Sequence, residues 1–145
     1  MKKIVSLLLA VALATSCLLV TSYADDLDVP VVEEFIEEYA IFDNLDCILS
    51  INNGTATCTS QAISASAQTI TAVQTLEKYS GWFWVWDTVS GATWSKTRNG
   101  TSLTMQNNKG GLSSGTYRLK TVFTVTSTSG QTETVTVYSS ERTVS

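Results

Sequence analysis

Gly115-Thr116-Tyr117-Arg118-Leu119-Lys120-Thr121-Val122-Phe123-Thr124-Val125-Thr126 is followed, across Ser129-Gly130-Gln131, by Thr132-Glu133-Thr134-Val135-Thr136-Val137-Tyr138-Ser139. In both runs apolar side chains alternate with threonines, the period-two signature of a strand that buries one face. A three-residue loop at Ser129–Gln131 makes them a hairpin. In that register Val125 faces Val135 and Phe123 faces Val137, so both strands offer their large apolar residues to the same side.

Working outward, the same texture recurs back to residue 46. Candidate strands are Cys47–Ile51, Thr55–Ser64, Thr69–Lys78, Trp82–Thr88, Thr93–Thr97 and Ser102–Gln106, ahead of Thr116–Thr126 and Thr132–Ser139. Between them stand Asn52-Asn53-Gly54, Ser80-Gly81, Ser90-Gly91, Asn99-Gly100 and Asn107 to Gly111, all suited to turns. Short strands with hairpin-type connections predict an all-β, antiparallel sandwich or barrel. Asn53-Gly54-Thr55 and Asn99-Gly100-Thr101 match the glycosylation sequon but read as turns.

The 145-residue chain suits one domain plus a processing segment. Its 43% hydrophobic and 15% charged content is unlike a disordered chain or a broad basic nucleic-acid surface, and no nucleic-acid partner is expected. There is no histidine, which removes imidazole bases and His-ligated metals.

The N-terminus reads as an export signal. Met1-Lys2-Lys3 is a short basic region, Ile4 to Val20 is apolar, and Ser22-Tyr23-Ala24 puts small residues before Asp25-Asp26. This predicts a signal peptide over 1–24, a secreted product and no membrane span after cleavage. Cys17 lies inside the apolar run and leaves with the signal. Loss of Lys2 and Lys3 takes the formal net charge from −4 to −6. Most of the acid lies in an arm over 25–45 that has no Lys or Arg, whereas the body, 46–145, is mildly basic. Within the arm, Val31, Val32, Phe35, Ile36 and Tyr39 recur at helical spacing after Pro30, predicting a short amphipathic helix that docks on the body.

Cys47 and Cys58 remain in the body. A hairpin centred on Asn52-Asn53 sets them opposite each other, and an exported protein meets oxidising conditions, so a structural disulfide is expected. The alternative is a pair of free, buried thiols. Two Cys without His do not complete a zinc site, and neither a metal nor a cofactor is expected.

Gly115-Thr116-Tyr117-Arg118-Leu119 resembles the tyrosine corner of immunoglobulin-like and fibronectin-like sandwiches, in which a Tyr near the start of the penultimate strand anchors to upstream backbone. Leu119 stands where antibody domains carry a Cys. Gly54-Thr55-Ala56-Thr57-Cys58, Thr75-Leu76-Glu77-Lys78, Trp94-Ser95-Lys96 and Glu133 to Ser139 are together similar to a family of small secreted domains of Gram-positive bacteria whose function is unassigned. The likeness covers most of 46–140. It implies an immunoglobulin-like β-sandwich of about seven or eight strands, with a structural role for Tyr117, and brings no catalytic residue.

The strongest candidate for a binding surface is Trp82-Phe83-Trp84-Val85-Trp86, with Trp94 beyond the next turn. Read as a strand, it sets Trp82, Trp84 and Trp86 in a row ~7 Å apart, suited to stacking against sugar rings, with Asp87, Arg98 and Asn99 supplying polar contacts. The competing reading buries the three Trp residues in the core and covers Phe83 and Val85 with the N-terminal helix. The first makes the protein a non-enzymatic binding or adhesion module for a glycan or a cell-surface protein; the second makes it a structural or protein-interaction domain. A hydrolase would need two placed carboxylates. Glu77 and Asp87, flanking a turn, are the nearest approach to such a pair, and they read as exposed strand-end acids. No Gly-x-Ser-x-Gly elbow stands on a strand-to-helix turn, and no Ser-x-x-Lys is present.

Overall fold

The structure, a computed structural model, describes residues 40–145. The export signal and the arm helix fall on residues outside that range. Eight strands follow in order: β1 (Asn44–Asn52), β2 (Thr55–Ile63), β3 (Ala67–Ser80), β4 (Val85–Asn99), β5 (Ser102–Lys109), β6 (Gly115–Ser127), β7 (Thr132–Tyr138) and β8 (Arg142–Val144). All pair antiparallel, in a three-stranded sheet β1-β2-β5 and a five-stranded sheet β4-β3-β6-β7 with β8 also on β6. This is an immunoglobulin-like β-sandwich. Its fourth strand lies beside the third in the larger sheet, whereas the constant-type arrangement puts it in the other sheet.

Three local devices fix the registers, and each departs from the sequence reading. The first hairpin closes on Asn53 and Gly54, with φ of 48° and 69°. Such a two-residue turn needs left-handed backbone at both positions, which Asn and Gly adopt most readily. It pairs Asn52 with Thr55, and therefore Leu49 with Cys58 and Cys47 with Ser60. The two cysteines are diagonal neighbours, not opposite ones, and both are free thiols. Diagonal Cα atoms lie ~7–8 Å apart, beyond the ~6.8 Å reach of a disulfide. The expected bridge is thus replaced by two buried thiols.

The β6–β7 loop is centred one residue earlier than expected, on 129 rather than 130, closed by Ser127 N–H to the Gln131 carbonyl at 2.8 Å and Gly130 N–H to the Ser127 carbonyl at 3.0 Å. Phe123 consequently faces Val135, and Val125 faces Glu133. The slip is by two residues, so every side chain keeps its face. The last strand breaks after Tyr138, where Ser139 Oγ accepts the Leu119 N–H at 2.9 Å in place of a ladder carbonyl. The chain resumes as β8, which the sequence reading missed.

The expected strands Trp82–Thr88 and Thr93–Thr97 are parts of one strand, β4, which starts only at Val85. Its register with β3 jumps between Glu77↔Thr88 and Thr75↔Thr93. The bulge so formed drives Ala92 into the core, where it is fully buried.

The core is split into two apolar clusters by a polar layer. One cluster holds Phe42, Ile70, Leu103, Phe123 and Val125; the other holds Leu49, Leu76, Tyr117 and Leu119. Between them, on consecutive inward positions of their strands, lie Cys47, Ser60, Gln74 and Thr121, all buried. Ser60 Oγ meets Thr121 Oγ1 at 2.7 Å, Gln74 Nε2 donates to Ser60 Oγ at 2.7 Å, and Asn107 Nδ2 donates to Gln74 Oε1 at 2.8 Å. Cys47 Sγ lies 3.3 Å from Thr121 Oγ1. Among the described residues no buried side-chain polar atom lacks a partner. That matters because an unpaired one costs ~1–3 kcal/mol. Burial pushes the Cys58 thiol up to about 12, with the charge on Cys47 adding to it; burial also raises Cys47, against hydrogen bonds from Thr121 and Ser60.

The outer face of the larger sheet is a field of threonines. Thr71–Thr97, Thr124–Thr134 and Thr126–Thr132 bond across strands at 2.9, 3.1 and 3.3 Å. Its character changes only towards the end where β3 and β4 meet.

Candidate functional site

β3 and β4 stay paired as far as Tyr79↔Trp86 and Ser80↔Val85. Gly81-Trp82-Phe83-Trp84 then close the hairpin as a four-residue loop, turned by Phe83 N–H to the Ser80 carbonyl at 3.2 Å. Trp84 carries the chain back into β4 with φ +58°. A bulky residue there costs of order 1 kcal/mol or more, where Gly or Asn would sit with little strain. The strand alternation expected of Trp82, Trp84 and Trp86 is therefore absent. Trp82 and Trp84 are in the loop, and only Trp86 is on the sheet.

Exposure settles their environment. Trp82 is 86% exposed, Phe83 70%, Trp84 82% and Val85 44%. The core reading does not hold for Trp82 and Trp84, and the helix expected to cover Phe83 and Val85 falls on residues outside the described range. The turn signal at Ser80-Gly81 was correct in place but too short. Extending β4 to Trp82 would align three indoles with a sheet end that nothing faces.

Behind the loop lies a second tier on the outer sheet face. The Arg118 guanidinium sits 4.2 Å from the Trp86 ring centroid and 4.3 Å from that of Tyr138, stacked between two aromatic faces. Tyr79 packs on Trp86 with centroids 5.3 Å apart. Arg118 Nε donates to Glu77 Oε2 at 2.7 Å, and Lys120 Nζ lies 4.0 Å from Glu77 Oε1. On the other side of the hairpin, Lys78 Nζ is 5.6 Å from the Tyr117 ring centroid and donates to Ser113 Oγ at 2.8 Å. Tyr117 is itself buried, its hydroxyl donating to the Ser113 carbonyl at 2.6 Å. It ties the start of β6 to the segment four residues upstream.

The other sequence candidates do not join this cluster. Asp87 pairs with Lys78, and so faces the side opposite Trp86 and Glu77. Glu77 is buried and ion-paired, not an exposed strand-end acid, and the two carboxylates point to opposite faces. Trp94 is half-buried against both apolar clusters. It lines a shallow groove of about 340 Å³ with Ser95, Lys96, Met105, Gln106 and Asn107. Arg98 is exposed on the far half of β4, opposite Ile70. Both lie beyond the bulge, tens of ångströms from the loop at ~3.3 Å per residue. Among the described residues no three His, Cys, Asp or Glu side chains converge as metal ligands.

The Arg118 stack escaped sequence reading because its members come from four strands. A usable signal existed in Tyr79, Trp86 and Tyr138, aromatic residues at otherwise threonine-rich outward positions.

No family model matches the chain, and no curated protein does. Among solved structures it is similar to wild-type OgpA from Akkermansia muciniphila, at 11% identity with a TM-score of 0.41, covering 74% of this chain and 31% of that one. A second crystal form of the same protein gives 11% identity, a TM-score of 0.32 and coverages of 69% and 29%. The chain thus spans less than a third of the protein it resembles.

Proposed function

We propose that this is an exported, non-catalytic binding module that attaches to the cell envelope through the tip of the β3–β4 hairpin. One observation carries the reading: four consecutive apolar residues, Trp82 to Val85, stand in solvent while the core is complete without them. Surface apolar residues scattered singly need no explanation, but a contiguous aromatic group does. Trp84 adds to the case, because its left-handed backbone is a stability cost that a smaller residue would remove. Export is supported by the leader pattern of residues 1–24.

The test is co-sedimentation of the purified protein with isolated bacterial envelopes, membrane and wall together. The wild type pellets, and the Trp82→Ala/Trp84→Ala double variant stays in solution with an unchanged melting temperature. Equal pelleting of both proteins, or of neither, overturns the proposal.

A further inference from the structure

We infer that the material engaged by the tip is the headgroup–acyl boundary of a lipid bilayer, a specification that rests on reading the tip as the attachment point. A sugar platform presents ring faces side by side, with polar groups placed to orient the ligand. The tip is built differently. Trp82, Phe83 and Trp84 are successive residues of a tight loop, the last with its backbone inverted, so their side chains leave the chain in different directions. Each stands clear of the body, as their 70–86% exposures require. The side-chain hydrogen bonds of the described residues involve none of them. A wedge of splayed rings fits a medium that conforms to it, and the interfacial layer is one that Trp favours, with an apolar ring and a polar N–H.

The second tier matches the next depth. Trp86 and Tyr79 begin one pair behind Val85, and Tyr138 completes the row. At ~3.3 Å per residue the belt begins about 3 Å behind the last pair with Trp86 and Tyr79, passes Arg118 at about 10 Å and ends with Tyr138 and Lys120 at about 16 Å, so its front half falls at the depth of a headgroup layer over inserted apolar groups. It is there that cations collect: Arg118, held between Trp86 and Tyr138, with Lys120 beside it and Lys78 across the hairpin. Glu77 and Asp87 offset Arg118 and Lys78, leaving Lys120 as a slight positive excess at the rear of the belt, facing an anionic surface across the headgroup layer. Within the described residues the tip also lies at one end of the sandwich. β3 runs fourteen residues from Ala67 to Ser80, and Ala40 lies at its other end, where Glu133 accepts the Ala40 and Ile41 N–H groups at 3.0 and 2.9 Å. The described sandwich thus offers the tip end-on to a flat surface. The attachment is superficial and reversible, as expected of one small anchor.

The experiment is vesicle titration of the purified protein, with phosphatidylcholine alone and with added phosphatidylglycerol, read by flotation and tryptophan emission. The proposal expects flotation with both vesicles, a blue shift, and quenching by lipids brominated near the headgroup. Trp82→Ala or Trp84→Ala weakens partitioning ~10-fold and the pair ~100-fold. Lys120→Gln lowers only the phosphatidylglycerol-dependent part, a few-fold. Melting temperatures show that the variants are folded. If neither vesicle binds, while membrane-free cell-wall polysaccharide binds in a manner dependent on Trp82 and Trp84, the bilayer inference is overturned and the envelope-binding function stands. If neither vesicles, wall material nor whole envelopes bind, both are overturned.

Discussion

The middle of the sandwich and the tip of its β3–β4 hairpin invert the usual partition of residues. At the middle, Ser60, Gln74 and Thr121 are fully buried between two apolar clusters; at the tip, Trp82, Phe83 and Trp84 are almost fully exposed. The two inversions differ in kind. Each buried polar group has a partner, so the layer costs little as it stands and much if broken. It also pins register, since a slip of two residues would set Gln74 against leucine-level positions of the neighbouring sheet. The exposed rings have no compensation within the described residues. An inversion balanced by its neighbours belongs to the architecture, and the one left unbalanced among the described residues is what the binding proposal rests on.

Mutations separate the two. The largest effect is expected of Gln74→Ala, which opens a cavity, strands Asn107 Nδ2 and leaves Ser60 Oγ with Thr121 as its one side-chain partner; a loss of ~3–5 kcal/mol in denaturant unfolding is predicted. A loss under ~1 kcal/mol would show that the polar layer is dispensable.

Next comes Arg118→Ala, on the boundary between the regions. It removes the Nε–Oε2 bond to the buried Glu77, leaving Lys120 at 4.0 Å as a weak substitute. The pair is partly solvated, so ~1–3 kcal/mol is expected rather than the full cost of orphaning a buried charge. Glu77→Gln in the same background should restore part of it, measured by the same unfolding curves.

The thiols probe the layer through pH. Both have folded pKa values raised by burial above the ordinary 9.0, that of Cys58 to about 12. Above pH 9 the unfolded chain sheds these protons first. Stability is therefore undiminished by the thiols below about pH 9 and falls as pH rises from there towards 12. Cys58→Ala should flatten that alkaline slope, and thiol reagents at neutral pH should label Cys47 and Cys58 only on unfolding.

The smallest effect carries the sharpest contrast. Trp84→Gly relieves the left-handed strain at φ +58° and should leave stability unchanged or raise it by up to ~1 kcal/mol, while envelope binding falls. If stability falls instead, Trp84 packs on something in the folded state and the comparison fails.

Much of the sandwich was legible in sequence because strand periodicity is local. β6 and β7 announce themselves by Phe123, Val125, Val135 and Val137 on alternate positions, and Asn53-Gly54 by its turn chemistry. Legibility stopped where a count of loop residues mattered. One residue at each hairpin displaced Cys47 from Cys58 and Phe123 from Val137. The aromatic run misled for a related reason. Trp, Phe and Val favour strands, yet that preference expresses packing on a sheet face, and at Trp82 there is no face to pack on.

The sequence by itself determined an all-β chain, its strand texture, its turns and the segment in which surplus aromatic surface is concentrated. These follow from backbone preferences and the alternation of buried and exposed sides, which act over a few residues. Only the tertiary structure decided that the thiols stay apart, that a polar layer divides the core, that Arg118 lies between Trp86 and Tyr138, and that Trp82 to Trp84 face solvent. Each of these depends on which strands become neighbours and where their pairing ends, and that is set by the whole sandwich closing at once.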